Sequence, residues 1–389
     1  DYENGKAHEQ DIEDIGDFIV VNSKFISSDG EVKKYTNTAF CPAQKGDILM
    51  VLSDVPNGKA IAKCFLVEEN NRYTVNQRIG RIIPQSLNSK ILYYLLNRNP
   101  YLLAFDDGVK QTNLRKEDVL NCPLLIPKNP KEQQKIASCL SSLDEVIAGE
   151  RQRLELLKAH KKGLLQNLFP REGETVPKLR FPEFKDSGEW EVTALSELGY
   201  LINGLTYSPE DVREKGLLVL RSSNIQDGLI DLKDCVYVRE NIKGVNLIKP
   251  RDILVCVRNG SKDLIGKNAM IPEGIPLATH GAFMTIFRAN NPEFVFQLFQ
   301  TDYYDKQVRA DLGATINSIN GKNFIKYKFP VPENPKEQQK IADCLSSLDD
   351  VIQAQQQKIE LLEQHKKGLL QGLFPNLKQL DNERCNYDI

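Results

Sequence analysis

Asn129-Pro130-Lys131-Glu132-Gln133-Gln134-Lys135-Ile136-Ala137 opens a stretch that closes with His160-Lys161-Lys162-Gly163-Leu164-Leu165 and ends at Pro170. The same opening stands at Asn334-Pro335-Lys336-Glu337-Gln338-Gln339-Lys340-Ile341-Ala342, and the same closing at His365-Lys366-Lys367-Gly368-Leu369-Leu370. This second copy ends at Pro375, 205 positions on, and 31 of the 42 paired positions are identical. An internal repeat of this fidelity outranks any local motif. Each copy carries its own helix signals. Asn129 predicts an N-cap, and Pro130 suits the first helical position because its missing N–H would be unpaired there anyway. Glu132 is placed to close a capping box, and Pro170 cannot continue the ladder.

Between those signals, Ile136, Leu140, Leu143, Ile147, Leu154, Leu157, Leu164 and Leu168 follow an alternating 4/3 spacing, with Glu150 and Lys161 as polar interruptions. The second copy repeats this seam as Ile341, Leu345, Leu348, Ile352, Ile359, Leu362, Leu369 and Leu373, interrupted by Gln355 and Lys366. A helix of this length reaches roughly 60 Å at 1.5 Å per residue. It reads as a strut, and nothing in it has a catalytic pattern. One such helix alone reads as an amphipathic helix of a larger core. Two near-identical copies, interrupted at the same seam positions, predict that the helices pair, and an antiparallel pairing relates the attached segments by an approximate two-fold.

The chain of 389 residues has room for two or three domains, and its 41% hydrophobic content is that of a globular protein. No apolar run approaches the ~20 residues of a membrane span, and no signal peptide is visible, so the expected location is the cytoplasm and the expected partners include no membrane. The eight cysteines (Cys41, Cys64, Cys122, Cys139, Cys235, Cys256, Cys344 and Cys385) contain no C-x-x-C pair, so a zinc ribbon is not indicated. Cys139 and Cys344, repeat equivalents beside the seam, read as small apolar residues. A net charge of −2 excludes a generally basic nucleic-acid binder but leaves room for local basic faces.

Five segments follow: a globular unit at 1–128, a helix at 129–170, a second globular unit at 171–333, a second helix at 334–375 and a tail at 376–389. In the first unit, Phe18 to Val21, Ile48 to Leu52 and Leu124 to Pro127 read as strands, Ser89 to Asn97 as a helix and Phe105 to Leu114 as a loop. This is an α+β pattern rather than a βαβ alternation. Asn4-Gly5-Lys6 aligns with Asn203-Gly204-Leu205, but the lead-in Pro177-Lys178-Leu179-Arg180-Phe181-Pro182-Glu183-Phe184 and Trp190 have no counterpart upstream of Asn4. The alignment therefore predicts that roughly two dozen residues are missing before Asp1. Gly46-Asp47-Ile48-Leu49 corresponds to Arg251-Asp252-Ile253-Leu254, and Gly108 to Gly313, both at the 205 offset. The helices stay nearly fixed while the globular units diverge, the opposite of what a shared catalytic site would produce.

Enzyme signatures are weak. Gly260 to Asn268 has the outline of a phosphate loop, with five residues between its glycines and Asn268 where Ser or Thr should follow the lysine. His160 and His365 read as cations near helix C-termini. No H-E-x-x-H, no dinucleotide fingerprint and no amino-methyltransferase motif is present, so no catalytic residue and no metal site is assigned.

The repeat resembles the specificity (S) subunit of Type I restriction-modification systems, which pairs two target-recognition domains with helical regions opening Asn-Pro-Lys-Glu-Gln-Gln-Lys-Ile-Ala. The Pro177 to Phe184 lead-in and the Gly108 to Leu114 and Gly313 to Ile319 loops resemble that family as well. The resemblance implies an antiparallel coiled coil separating two domains, each reading one half of a split, asymmetric double-stranded DNA site. Half-sites addressed from one face of B-DNA are expected about one turn apart, roughly 34–36 Å. It also implies two methyltransferase subunits, which would carry S-adenosylmethionine, and restriction/translocase subunits, which would carry ATP and Mg, with no cofactor in this chain and a role in phage defence.

Base reading needs side-chain forks and amides, while lysines and small hydroxyls mostly hold phosphates. The expected DNA-binding residues are Asn22, Ser23, Lys24, Ser53, Asn57, Lys59, Lys63, Asn76, Gln77 and Arg78 in the first unit. In the second they are Arg221, Ser223, Asn224, Arg258, Asn259, Ser261, Lys262, Lys267 and His280. Outward helix faces are expected to meet the methyltransferase through Gln133, Gln134, Arg151, Arg153, Lys158, Gln338, Gln339, Gln356, Lys358 and Glu363. For both sets the bland alternative is a solvated polar face. Two rival readings of the whole are a free-standing bipartite DNA-binding regulator and a coiled-coil scaffold that binds no DNA, which salt-dependent DNA affinity would exclude.

Overall fold

The computed structural model describes residues 1–55, 58–312 and 317–374. The chain divides into two compact units, Asp1–Arg151 with the chain from Gln357 onward, and Gln152–Gln356. Each unit therefore takes one globular part and one half of each long helix, Pro130–Leu168 and Pro335–Leu373. Pro375 and the tail lie outside the described residues.

In the first unit, Tyr35–Thr36, Phe18–Val21, Tyr73–Val75 and Pro42–Ala43 form one four-stranded sheet in that order, with Phe18–Val21 and Tyr73–Val75 parallel. Tyr2–Asn4, Ile79–Ile82, Ile48–Val51 and Cys64–Leu66 form a second, antiparallel sheet. The second unit repeats the plan. Val212–Arg213, Val236–Val238, Leu217–Leu220 and Ala278–His280 form a sheet whose last two strands are parallel, and Gly199–Asn203, Met284–Ala289, Ile253–Cys256 and Asn268–Met270 form the antiparallel one. The central strands Ile48–Val51, Leu217–Leu220 and Ile253–Cys256 are buried throughout, which explains why they read as continuous apolar runs rather than alternating ones. Each such side chain contributes roughly 1.5–3 kcal/mol on burial.

Leu124–Pro127 does not form the expected strand. Its counterpart Lys328–Val331 pairs with Glu191–Ala194, and among the described residues of the first unit no segment offers an equivalent ladder. Gly260–Asn268 leads into a strand, so the helix N-terminus that a phosphate loop requires is not present there.

Both long helices start as their caps dictate. Lys131 and Lys336 donate their backbone N–H to the Asn129 and Asn334 side chains at 2.9 and 3.0 Å. Each position of the 4/3 pattern in either helix is buried or half-buried, including the polar interruptions. Those polar groups are satisfied in pairs. In the first unit Lys358 meets Glu150 at 2.5 Å, Arg151 meets Glu363 at 2.6 Å and Lys366 meets Asp144. Partner numbers fall from 366 to 358 as they rise from 144 to 150, so the facing segments of this unit run in opposite directions. In the second unit Lys161 meets Asp349 at 2.6 Å, the repeat equivalent of the Lys366–Asp144 pair. A globular side chain completes each: Tyr94 donates its hydroxyl to Asp144 at 2.7 Å, and Gln297 its amide to Asp349 at 3.2 Å. Burial and the bond to Asp144 hold the Tyr94 phenol above its usual range.

Several single-residue expectations change. His160 and His365 are exposed and lie two turns before the helix ends, beyond the last turn where the dipole acts. Cys139 is exposed rather than a packed apolar residue. Glu337, the counterpart of Glu132, does not close a capping box. It is 1% exposed and takes both Nε and a terminal nitrogen of Arg180, at 2.7 and 2.8 Å, from the lead-in segment. Glu132 itself is exposed.

These repeat equivalents therefore predict unequal costs. Glu337→Ala strands the Arg180 guanidinium and is expected to destabilise by about 3–5 kcal/mol, while Glu132→Ala stays within about 0.5 kcal/mol. Thermal and denaturant unfolding of the two variants checks this, and equal effects would contradict it.

Candidate nucleic-acid interface

Backbone hydrogen bonds bring several strand ends to one rim of the second unit. Gly281 donates to Leu220 O at 2.9 Å, Val257 and Arg258 both donate to Phe283 O at 3.0 and 3.1 Å, and Ile319 donates to Val257 O at 2.8 Å. The Asn259 amide reaches Ser222 Oγ at 3.0 Å, and Asn317 reaches Gly260 O at 3.0 Å. The parallel pairing of Leu217–Leu220 with Ala278–His280 sends both chains out on one side, where Arg221 and the turn Gly281–Phe283 follow.

The first unit builds the same rim with other side chains. Asn76 donates to Val21 O at 3.0 Å, Leu52 to Arg78 O at 3.0 Å and Leu114 to Leu52 O at 2.8 Å. Ser53 pairs with Asn113 as Arg258 bridges to Ser318. Leu52, Asn76, Arg78 and Leu114 stand 205 positions before Val257, Gly281, Phe283 and Ile319. The turns Asn76–Arg78 and Gly281–Phe283 are thus equivalents.

One glycine underlies each turn. A Cβ on Gly5 would lie 2.0 Å from Asn76 O, and a Cβ on Gly204 would lie 2.1 Å from Gly281 O. Only glycine permits so close a backbone approach, which accounts for the aligned Asn-Gly pairs at 4–5 and 203–204.

With this duplicated rim in view, the comparisons with known proteins are specific. A family model described as the Type I restriction modification DNA specificity domain matches residues 1–159 and 187–364. The chain belongs to this family. The StySPI specificity subunit of Salmonella potsdam is 28% identical over 195 residues, 48% of this chain and 42% of the relative. The MjaVIII specificity subunit of Methanocaldococcus jannaschii is 26% identical over 304 residues, covering 75% of this chain and 70% of the relative. The EcoKI specificity subunit of Escherichia coli is 29% identical over 196 residues, covering 48% and 41%. The matched stretch thus spans less than half of the StySPI and EcoKI subunits. The crystal structure of a Type-I restriction-modification S subunit from M. genitalium superposes with a TM-score of 0.63 at 18% identity, over 97% of this chain and 94% of that one, and shows the same fold.

Within this specificity-domain fold the expected residues fall into distinct surroundings. Lys24, Lys59, Gln77 and Arg78 are exposed in the first unit, and Ser223, Arg258, Ser261 and Lys262 in the second. Asn22 is half-buried and caps the helix Ser23–Ser27 through Phe25 N–H at 2.9 Å, with Ser23 half-buried beside it. Ser53 accepts from Gln111 at 2.7 Å, Lys63 pairs with Asp29 at 2.8 Å and Arg221 pairs with Asp234 at 2.8 Å. Asn76 is half-buried and accepts from Gln77 N–H at 2.7 Å, and Gln77 reaches Glu9 at 2.8 Å. Asn259 and Lys267 are half-buried. Asn57 lies outside the described residues, as do Gly313 to Ile316 of the second unit's loop.

Two expectations are corrected. Asn224 is fully buried, accepting from Arg221 N–H and donating to Asp231 O and Asp234 O at 2.9 Å each, so it shapes the loop from beneath. His280 is fully buried with Nε2 2.9 Å from Ile202 O. Neither offers an edge to a ligand. Conversely, the sequence reading passed over Phe283, Ser222 and Asn317. The 205 offset from Arg78 to Phe283 was the signal that identifies the first.

The helix residues expected to meet a methyltransferase are also redistributed. Gln133 and Gln338 are engaged with Pro127 O and Pro332 O at 2.8 and 2.9 Å. Arg151 and Glu363 pair with each other, and Lys358 with Glu150, and all three stay exposed, so they bridge the helices at the surface. Gln134 and Gln339 are exposed and bond Ser138 and Asp343 on their own helices at 3.2 and 2.8 Å, and Arg153 is exposed. Lys158 and Gln356 line a cleft of about 900 Å³ in the second unit, together with Lys162, Leu165, Gln166 and Phe169. The repeat equivalents Lys367, Leu370, Gln371 and Phe374 line a cleft of about 720 Å³ in the first.

Burial lowers the His280 pKa below its ordinary value, and its Nδ1 has no partner among the described residues. Protonation would create an unpaired buried donor. The neutral ring's contribution is therefore complete above the unfolded value of about 6.5 and is lost as pH falls through the depressed folded value. Stability of the wild type is expected to drop more steeply below about pH 6.5 than that of His280→Gln. Parallel pH profiles in denaturant titrations would contradict this.

Proposed function

We propose that this chain is the DNA sequence-recognition subunit of a Type I restriction-modification complex. In this reading the globular parts 1–128 and 171–333 are target-recognition domains, and the helices 129–170 and 334–375 pair as an antiparallel coiled coil about an approximate two-fold. Each domain reads one half of a bipartite, asymmetric DNA site. The chain does no covalent chemistry itself. Two methyltransferase subunits supply S-adenosylmethionine chemistry, restriction/translocase subunits use ATP and Mg, and the assembly works in the cytoplasm, where it serves phage defence.

One observation carries the reading: a single backbone frame is built twice with different side chains at its rim, on helices whose sequence scarcely differs. Divergent rims suit two different half-sites, and the fixed helices suit two copies of one partner. The exposed cations Lys24, Lys59 and Arg78, and Arg258 and Lys262, fit a polyanion while the net charge stays at −2. The opposed ion pairs in the first unit support the antiparallel arrangement, and the two clefts lined by repeated residues suit a partner present twice. A free-standing regulator would need enough charge to hold DNA alone, which a net −2 disfavours.

Single-molecule mapping of modified bases tests this. DNA from cells carrying the full-length gene and its methyltransferase partner is expected to show modified adenines in a split, asymmetric motif that vanishes on deletion of this gene. Methylation unchanged by the deletion would contradict the proposal.

A further inference from the structure

The turns Asn76–Arg78 and Gly281–Phe283 occupy one place in two copies of one backbone frame, yet their third residues are chemically opposite. Phe283 is 57% exposed. It is the sole aromatic among the described residues Arg221–Asn224, Arg258–Lys262, Gly281–Phe283 and Asn317–Ser318. Its carbonyl is held by two N–H groups and its turn rests on Gly204, so the ring is presented by a fixed backbone. The Arg258 guanidinium stands 5.7 Å from the ring centroid. Arg78 is exposed at the matching place, and its carbonyl is held by Leu52 N–H.

Resting on the DNA-reading function above, we propose that the third residue of this turn sets the base pair read at corresponding positions of the two half-sites. Phe283 packs on the C5-methyl group of a thymine in the major groove, and Arg78 forks onto O6 and N7 of a guanine. A phenyl ring makes no hydrogen bond to a phosphate, so an exposed phenylalanine on a rim of this kind gains from apolar contact, which the C5-methyl group of a thymine supplies in the major groove. The Arg258 guanidinium lies over one ring face, which disfavours insertion of the ring between two stacked bases. The face and edge that remain match a methyl group.

The test uses the full chain with its methyltransferase partner and a library of bipartite duplexes at fixed salt. With wild type defining the split motif, Phe283→Ala is expected to lower the preference for one T·A pair about fourfold, the worth of one methyl contact, leaving the other half-site unchanged. Deoxyuridine at that thymine should weaken wild-type binding by the same factor and have no effect on the variant. Phe283→Leu should keep the preference and Phe283→Arg should shift it to G·C. Arg78→Ala should relax a G·C pair in the opposite half-site only. Unchanged base preference in Phe283→Ala would overturn the proposal, as would uniform weakening across all sequences. Brightening of 2-aminopurine beside the site on wild-type binding but not on Phe283→Ala binding would overturn it in favour of a wedge. A wild type that selects no split motif would instead defeat the DNA-reading function itself.

Discussion

The rest of the structure depends on how two long helices resolve a half-buried polar break in an apolar seam. Lys161 and Lys366 each sit where the 4/3 pattern calls for an apolar residue, and each is matched by the repeat-equivalent carboxylate Asp349 or Asp144. A half-buried ammonium without its carboxylate costs more than the pair gains over an apolar seam. A register or direction that separates such a pair is therefore penalised. Because Tyr94 and Gln297 also bond these carboxylates, the same contact ties a globular part to the helices in each unit.

That dependence explains why the helices vary so little. A lysine on one helix needs its carboxylate on the other, as Lys161 needs Asp349 and Lys366 needs Asp144, so a change in either residue breaks the pair. The globular rims are under no such constraint. Strand-end hydrogen bonds and the glycines at 5 and 204 hold their backbones, while side chains such as Arg78 and Phe283 project from that frame without supporting it.

Much of this was legible in the sequence because it rested on period and repetition. The helix starts, the seam positions, the central apolar strands and the existence of two globular units all follow from local pattern, and the 205 offset aligned the units. What was not legible depended on partners distant in sequence. Asn224 and Asn259 look alike on paper, yet one is enclosed by the carbonyls of Asp231 and Asp234 while the other reaches a serine at the rim. The pairing of Arg151 with Glu363 was not legible because nothing local says they meet. Glu337 departs from Glu132 only because Arg180 arrives from a segment that Glu132 has no counterpart to among the described residues. Leu124–Pro127 failed as a strand for a similar reason: a strand needs a neighbour, and its sequence cannot supply one.

The most direct test of the account is to make the chain symmetric. Residues 4–128 are placed where 203–333 stand, keeping both helices and the lead-in, and methylated bases are mapped in cells that also carry the methyltransferase partner. Two identical rims on one frame predict that the split motif becomes an inverted repeat with an unchanged gap. An assembled complex that still methylates an asymmetric motif would contradict the claim that each unit reads its own half.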